Sequence, residues 1–204
     1  MMIDQRLYEE FRDIGRDIYL AQLTSSHGGN MSVRVGNHLV IKRRGAQLGR
    51  LKLEDLVLTG IDVKDSGIAR SSSELIVHRT IYQRTSALAV IHCHPRTAIA
   101  LSLSREEIIP LDVEGSYLLH KVPVVATEFA SGSPEMADLI ANALREYKIV
   151  MLRGHGCFST GQTLEEAFHW VSCLEESSDI ILETHLLGEE RIEFRRHSES
   201  YHKW

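Results

Sequence analysis

The stretch ALAVIHCHPRTAIALS, residues 87–102, holds two kinds of element and the boundary between them. Its first half, Ala87 to His94, is small and β-branched and reads as a buried strand. Its second half is helix-like, and Pro95 can begin that helix because its fixed φ suits the first turn. A strand passing directly into a helix predicts alternating elements, so the neighbouring segments are placed by the same periodicity.

Upstream, Leu7, Phe11, Ile14 and Ile18 recur at helical spacing, predicting a first helix from about Asp4 to Leu20. MSVRVGNHLVIK reads as two strands joined at Gly36-Asn37, where glycine tolerates the positive φ of a tight turn. After LVLTGID, the segment SSSELIVHRTIYQR predicts a short helix opened by serine caps. Downstream, KVPVVAT is strand-like, and SPEMADLIANALRE is a helix with Ser133 as N-cap and Pro134 in its first position. YKIVMLR is again a strand. Thr163-Leu-Glu-Glu166 forms a capping box ahead of a long helix whose buried stripe is Leu164, Ala167, Phe168, Val171, Leu174, Ile181 and Leu182. Interleaved helices and strands imply an α/β class.

The histidines of the opening stretch lie where a chain usually keeps apolar groups. Alternation points His92 and His94 the same way and Cys93 the other, with Cα atoms roughly 6.5 Å apart, a span that two imidazoles can close onto one metal ion. A histidine at a strand end is more often an ordinary hydrogen-bonded residue, and His-x-His alone is a weak motif. MLRGHGCFSTG adds His155 between two glycines that permit close approach of backbone or ligand. Three neutral imidazoles around Zn²⁺ leave a coordination position open, the mark of a catalytic site. Cys157 is read as packing. Glu74, in a helical first turn behind serines, is the candidate proton carrier; equally, Ser73 is an N-cap and Glu74 an acid that suits the helix dipole.

The chain has 204 residues with a net charge of -5, which gives no general attraction to nucleic acid or anionic lipid. No run is long enough to cross a bilayer, the first residues MMIDQRLYEEFRD lack a leader pattern, and three cysteines form no C-x-x-C pair, so a cytoplasmic protein is expected. A single domain over residues 1–187 is predicted, followed by a charged tail over residues 188–204.

Taken together, HGGNMSVRV, RSSSE, VIHCHP and LRGHG resemble the class II aldolase/adducin family in order and separation, and most closely its L-fuculose-1-phosphate aldolases. The resemblance implies a three-layer α/β/α domain on a largely antiparallel sheet, assembled as a homotetramer with sites at subunit boundaries. It implies that His92, His94 and His155 bind zinc and that Glu74 is the acid/base, able to reach the metal in the empty enzyme. Gly29 and Asn30, with Ser72 and Ser73, would hold the phosphate of a small phosphorylated sugar. The implied reaction is reversible cleavage of a ketose 1-phosphate to dihydroxyacetone phosphate and an aldehyde through a metal-stabilised enediolate.

Two departures stand out. Similar aldolases carry Ser or Thr before a glycine in the phosphate cradle, where this chain has Arg44 before Gly45; a guanidinium can bind phosphate through its fork. Glu114 stands where some relatives carry a proton-donating tyrosine, with Tyr117 and the tail residue Tyr201 as alternatives; Glu114 is otherwise a solvated loop acid, and Tyr201 part of a disordered tail. The other histidines, among them His27, His38, His78, His120, His169 and His185, are read as structural or exposed. Glu74 in place of aspartate argues against the family's sugar-phosphate 4-epimerases. Methylthioribulose-1-phosphate dehydratase and decarboxylase activities stay open, and an adducin-head-like scaffold is the non-enzymatic reading.

Overall fold

A computed structural model describes residues 3–129, 131–188 and 192–194. Eight strands form one sheet: β1 (Asn30–Val35), β2 (His38–Lys42), β3 (Leu56–Gly60), β4 (Ala89–Cys93), β5 (Glu107–Ile108), β6 (Val122–Val125), β7 (Ile149–Leu152) and β8 (Gly156–Gly161). Their order is β3-β2-β1-β4-β8-β7-β6-β5. Every pairing is antiparallel except β6 with β7, where α5 makes the crossover that a parallel pair needs.

Six helices cover the two faces: α1 (Gln5–Leu20), α2 (Leu75–Arg84), α3 (Arg96–Ser102), α4 (Val113–Leu118), α5 (Pro134–Ala143) and α6 (Leu164–Leu187). On one face α1, α3 and α6 bury Phe11, Ile18, Ala98, Val171 and Leu174 against Ala89, Ile91 and Cys93. On the other, α2 and α5 bury Leu75, Val77, Ile81, Met136 and Ile140 against Leu39, Ile41, Val90 and Phe158. The result is the three-layer α/β/α arrangement. Because β4 is central and both its faces are covered, all five of its residues are buried, and its run of apolar residues does not alternate with polar ones. Removing a fully buried aliphatic such as Ile91 from this layer to water would cost about 1.5–3 kcal/mol in transfer free energy alone.

Local signals explain most boundaries. Asp4 Oδ1 accepts from Leu7 N at 2.7 Å, which starts α1 just after the residue expected. Gly36 has φ +60° in a two-residue turn that pairs Val35 with His38. Ser133 and Thr163 cap α5 and α6 as read, and Pro134 opens α5. Glu166 bonds the main-chain N–H of Gln162, one residue before the cap.

Several readings are corrected. No serine caps α2: the N-cap position is Glu74, without a side-chain cap, because Ser72 and Ser73 still belong to the preceding turn. Pro95 is the N-cap of α3 and Arg96 its first residue. β4 ends at Cys93, so His94 lies just beyond the strand. Residues 156–161 form a further strand, β8, beyond the strands read from the sequence. In α6, Leu182 is exposed although its neighbour Ile181 is wholly buried, so the buried stripe passes through Ile181 and not Leu182. Tyr201 lies outside the described residues. Among the described residues, no helix is long and apolar enough to cross a membrane.

Candidate active site

β1 begins, and β2 and β4 end, at one end of the sheet, and the β7–β8 connection returns there; the site is built from these termini. The link between β7 and β8 carries His155, and Gly156 starts β8 against Cys93 and His94. A Cβ on Gly156 would stand 2.2 Å from the Cys93 carbonyl oxygen and 2.7 Å from His94 Cδ2, so only glycine lets this connection close onto the histidines.

Orientation of His92 follows from its partners. Its Nδ1 lies 2.9 Å from the Cys157 carbonyl oxygen, which only accepts; that nitrogen therefore carries the proton, and Nε2 keeps its lone pair for the site. The ring stacks on Phe158 at 4.1 Å between centroids. His92 Nε2 faces His94 Nε2 at 2.9 Å. The His155 ring completes the group, 4.9 Å from His92 and 5.2 Å from His94 between centroids. One nitrogen from each of the three lies within 4.8 Å of the others. Burial pushes both His92 and His94 down to about 3, with neighbouring histidines adding to the shift, so both are neutral near pH 7. Neutral imidazoles converging on one point fit a divalent cation of borderline softness.

His94 N donates to the Leu23 carbonyl oxygen at 2.8 Å. Directly after Pro95, the main-chain N–H groups of Thr97 and Ala98 each donate to the Glu175 carboxylate at 3.0 Å, so α6 clamps the start of α3. Burial raises the Glu175 carboxyl above its ordinary range, and these two bonds pull it back.

Glu74 reaches the group from the layer of α2. Its Oε2 is 3.2 Å from His92 Nε2, and its Oε1 is 3.8 Å from His155 Nε2. Glu74 is buried, and Asn30 Nδ2 donates to its Oε2 at 2.8 Å. Sequence reasoning assigned Asn30 to phosphate and missed this contact; the signal lay in the antiparallel register, which sets Asn30 beside His92.

The residues expected to hold phosphate lie on three segments, two of which pair with each other. Residues 42–44 run antiparallel to residues 70–72, with Ser72 N donating to Lys42 O at 3.1 Å and Arg44 N to Arg70 O at 3.0 Å. Lys42 thus stands opposite Ser72, and Arg44 opposite Arg70, two residues further along; Gly29 immediately precedes β1 and Asn30 begins it. Arg44, Gly45 and Ser73 are exposed and Ser72 is buried. Beneath the turn, Lys42 is buried, donates from Nζ to Ala46 O at 2.6 Å, and has no carboxylate within ion-pair distance among the described residues. Burial and the adjacent Arg43 lower it to about 8.

Glu114 does not join this group within the chain. It lies in the first turn of α4, which packs on α6, across the sheet from α2; its carboxylate is 3.4 Å from His169 Nε2. Tyr117 is partly exposed in the same helix, its ring 6.1 Å from that of Phe194.

Residues 9–182 match the family model described as class II aldolase and adducin N-terminal domain. The chain belongs to the class II aldolase and adducin family. An L-fuculose phosphate aldolase of Methanocaldococcus jannaschii is 30% identical over 178 residues, 85% of this chain and 94% of that one. The crystal structure of L-fuculose-1-phosphate aldolase from Thermus thermophilus superposes with a TM-score of 0.87 at 40% identity, covering 91% of this chain and 97% of that one. A 3-oxo-tetronate 4-phosphate decarboxylase of Haemophilus influenzae is 27% identical over 186 residues, 88% of each chain. The class II aldolase fold and the three-histidine group thus occur together here, and the relatives with which the chain aligns include aldolases, which are lyases, and a decarboxylase.

Proposed function

We propose that this chain is a zinc-dependent aldolase that reversibly cleaves a ketose 1-phosphate of the L-fuculose 1-phosphate type to dihydroxyacetone phosphate and an aldehyde. The observation that carries the reading is the convergence of His92, His94 and His155 beside a buried Glu74. A zinc ion held by the three imidazoles would act as a Lewis acid toward substrate oxygens as negative charge develops on them.

The chain's own residues supply the rest. Gly29, Asn30, Gly45, Ser72 and Ser73, with the fork of Arg44, hold the phosphate and fix the distance from it to the carbonyl carbon. Since one amide proton of Asn30 is engaged by Glu74, its share of the phosphate comes through the second proton or the main chain. In the synthetic direction Glu74 takes the proton from the carbon next to the carbonyl, and that carbon bonds to the aldehyde carbon. The new oxygen then needs a proton. Within one chain Glu114 sits in the opposite layer, so its donation would come from a neighbouring copy of a homotetramer; Tyr117, on the same helix, would arrive with it. Exposed apolar side chains such as Val113 and Leu103 support such an assembly, and free cysteines support a cytoplasmic setting.

The test is a cleavage assay of purified, zinc-loaded protein on a panel of ketose 1-phosphates and methylthioribulose 1-phosphate. Dihydroxyacetone phosphate together with an aldehyde is expected. A dehydrated product without chain cleavage would select the dehydratase reading, carbon dioxide from an oxo-sugar-acid phosphate the decarboxylase, and absence of both metal and turnover the scaffold.

A further inference from the structure

The proposed reaction uses Glu74 but leaves unexplained three buried polar side chains behind it: Ser32, His78 and Tyr82, all under 3% exposed. Alternation along β1 puts Asn30 and Ser32 on one face of the strand. Spacing of four along α2 puts Glu74, His78 and Tyr82 on one face of the helix. These faces meet. Asn30 Nδ2 lies 2.8 Å from Glu74 Oε2, Asn30 Oδ1 2.5 Å from His78 Nε2, His78 Nδ1 2.7 Å from Ser32 Oγ, and Ser32 Oγ 2.8 Å from the Tyr82 hydroxyl.

Every proton in this chain can be assigned from valence. A carboxylate only accepts, so the Asn30 amide turns its N–H₂ to Glu74 and its oxygen to His78. That oxygen only accepts, so His78 Nε2 carries a proton. Burial lowers His78 to about 3, so the ring is neutral and Nδ1 is an acceptor. Ser32 must therefore donate its hydroxyl proton to Nδ1. The Tyr82 hydroxyl, in turn, points its proton at Ser32, shared between Oγ at 2.8 Å and the carbonyl oxygen at 2.9 Å. All donors run one way, from Tyr82 to Glu74.

We propose that His78 is a positioning residue: with Ser32 and Tyr82 behind it, it locks the Asn30 amide so that Glu74 Oε2 is pinned and Oε1 alone is left to take the substrate proton. An inverted amide would place two oxygens against each other and release the carboxylate. The proposal rests on Glu74 as the base. It places no part of His78 against substrate or metal, so its loss should reach turnover only through Glu74.

Two measurements on the full-length, metal-loaded enzyme test this. In ¹⁵N NMR the His78 ring should be protonated at Nε2 and not at Nδ1 throughout the neutral range; the opposite tautomer overturns the proposal whatever the protein turns over. In steady-state kinetics His78→Phe should lower kcat by about 10- to 100-fold with KM and metal content held. His78→Gln, which keeps a donor and an acceptor, should recover most of the loss. On a Glu74→Gln background, His78→Phe should cost nothing further. If His78→Phe does not fold, Ser32→Ala replaces it in the same cycle. Equal kcat losses on both backgrounds, or a change in KM alone, overturn the lock while leaving the aldolase assignment standing. Failure of the wild-type protein to cleave any ketose phosphate, with the Nε2 tautomer found, removes the aldolase reading and keeps the hydrogen-bond chain.

Discussion

Gly156 faces the main chain of Cys93 so closely that a methyl group on it would stand 2.2 Å from the Cys93 carbonyl oxygen. Gly156→Ala must push the β7–β8 connection away from β4 and carry His155 with it. Overpacking of this kind costs about 1–3 kcal/mol, which in a chain of this length lowers Tm by roughly 2–12 °C. Thermal melts with and without added zinc should show the lower Tm together with a smaller stabilisation by metal.

The roles within the cluster separate by metal content. His94→Ala should lose bound zinc on dialysis and lose turnover with it. Glu74→Gln should keep zinc, because three imidazoles remain, yet fall in kcat by about 10²- to 10⁴-fold. Metal analysis beside kcat decides; equal metal and equal turnover in wild type and both variants would reject the assignment.

Arg44 is exposed in the turn after β2, directly before Gly45. If its guanidinium holds the substrate phosphate, Arg44→Ser should raise KM by on the order of tenfold or more, the worth of a hydrogen bond to a charged group. Raising ionic strength should narrow the gap between the two proteins. A KM that does not move would place the phosphate elsewhere.

Lys42 makes a pH-dependent contribution to stability whose sign is set by burial. Its folded value, about 8, lies below the ordinary value of 10.5, so between these the unfolded chain binds a proton that the folded chain does not. Stability should therefore rise with pH across that window. Lys42→Met removes the charge, so denaturant titrations should find the variant more stable than wild type at pH 7, with the advantage shrinking toward pH 10.

Acid acts through the buried histidines. His78, His92 and His94 are each held at about 3 against an ordinary 6.5. Below 6.5 the unfolded chain takes up protons that the folded chain refuses, so the metal-free protein should lose stability steadily as pH falls from 6.5 toward 3. A Tm independent of pH over that interval, measured in chelator, would show that these rings are not buried neutral.

The parts legible in the sequence were local. Gly36-Asn37, Ser133-Pro134 and Thr163 act within three or four residues of themselves, and the structure keeps each. The alternation that turns His92 and His94 to one side is local as well. What escaped depends on distant pairing. GCFSTG carries no strand signal of its own, and its strand exists because Cys157 and Phe158 are set against Cys93 and His92 in neighbouring β4. Glu74 looked like a first-turn acid behind a serine cap, and its link to Asn30 spans 44 residues. His78, classed with ordinary structural histidines, is structural in the sense that it is wholly buried, but only the β1–α2 packing reveals what it touches. Glu114 was assigned by likeness of position in the chain, and position in the chain does not say which side of the sheet a helix covers.

The hold of Glu175 on Thr97 and Ala98 links the segment just after His94 to α6. During translation the nascent chain would present His92 and His94 long before residue 175 leaves the ribosome, so the start of α3 would stay unclamped until much of α6 had emerged. Truncations ending before Glu175 would then yield chains that keep all three histidines but lack the contact that fixes the start of α3.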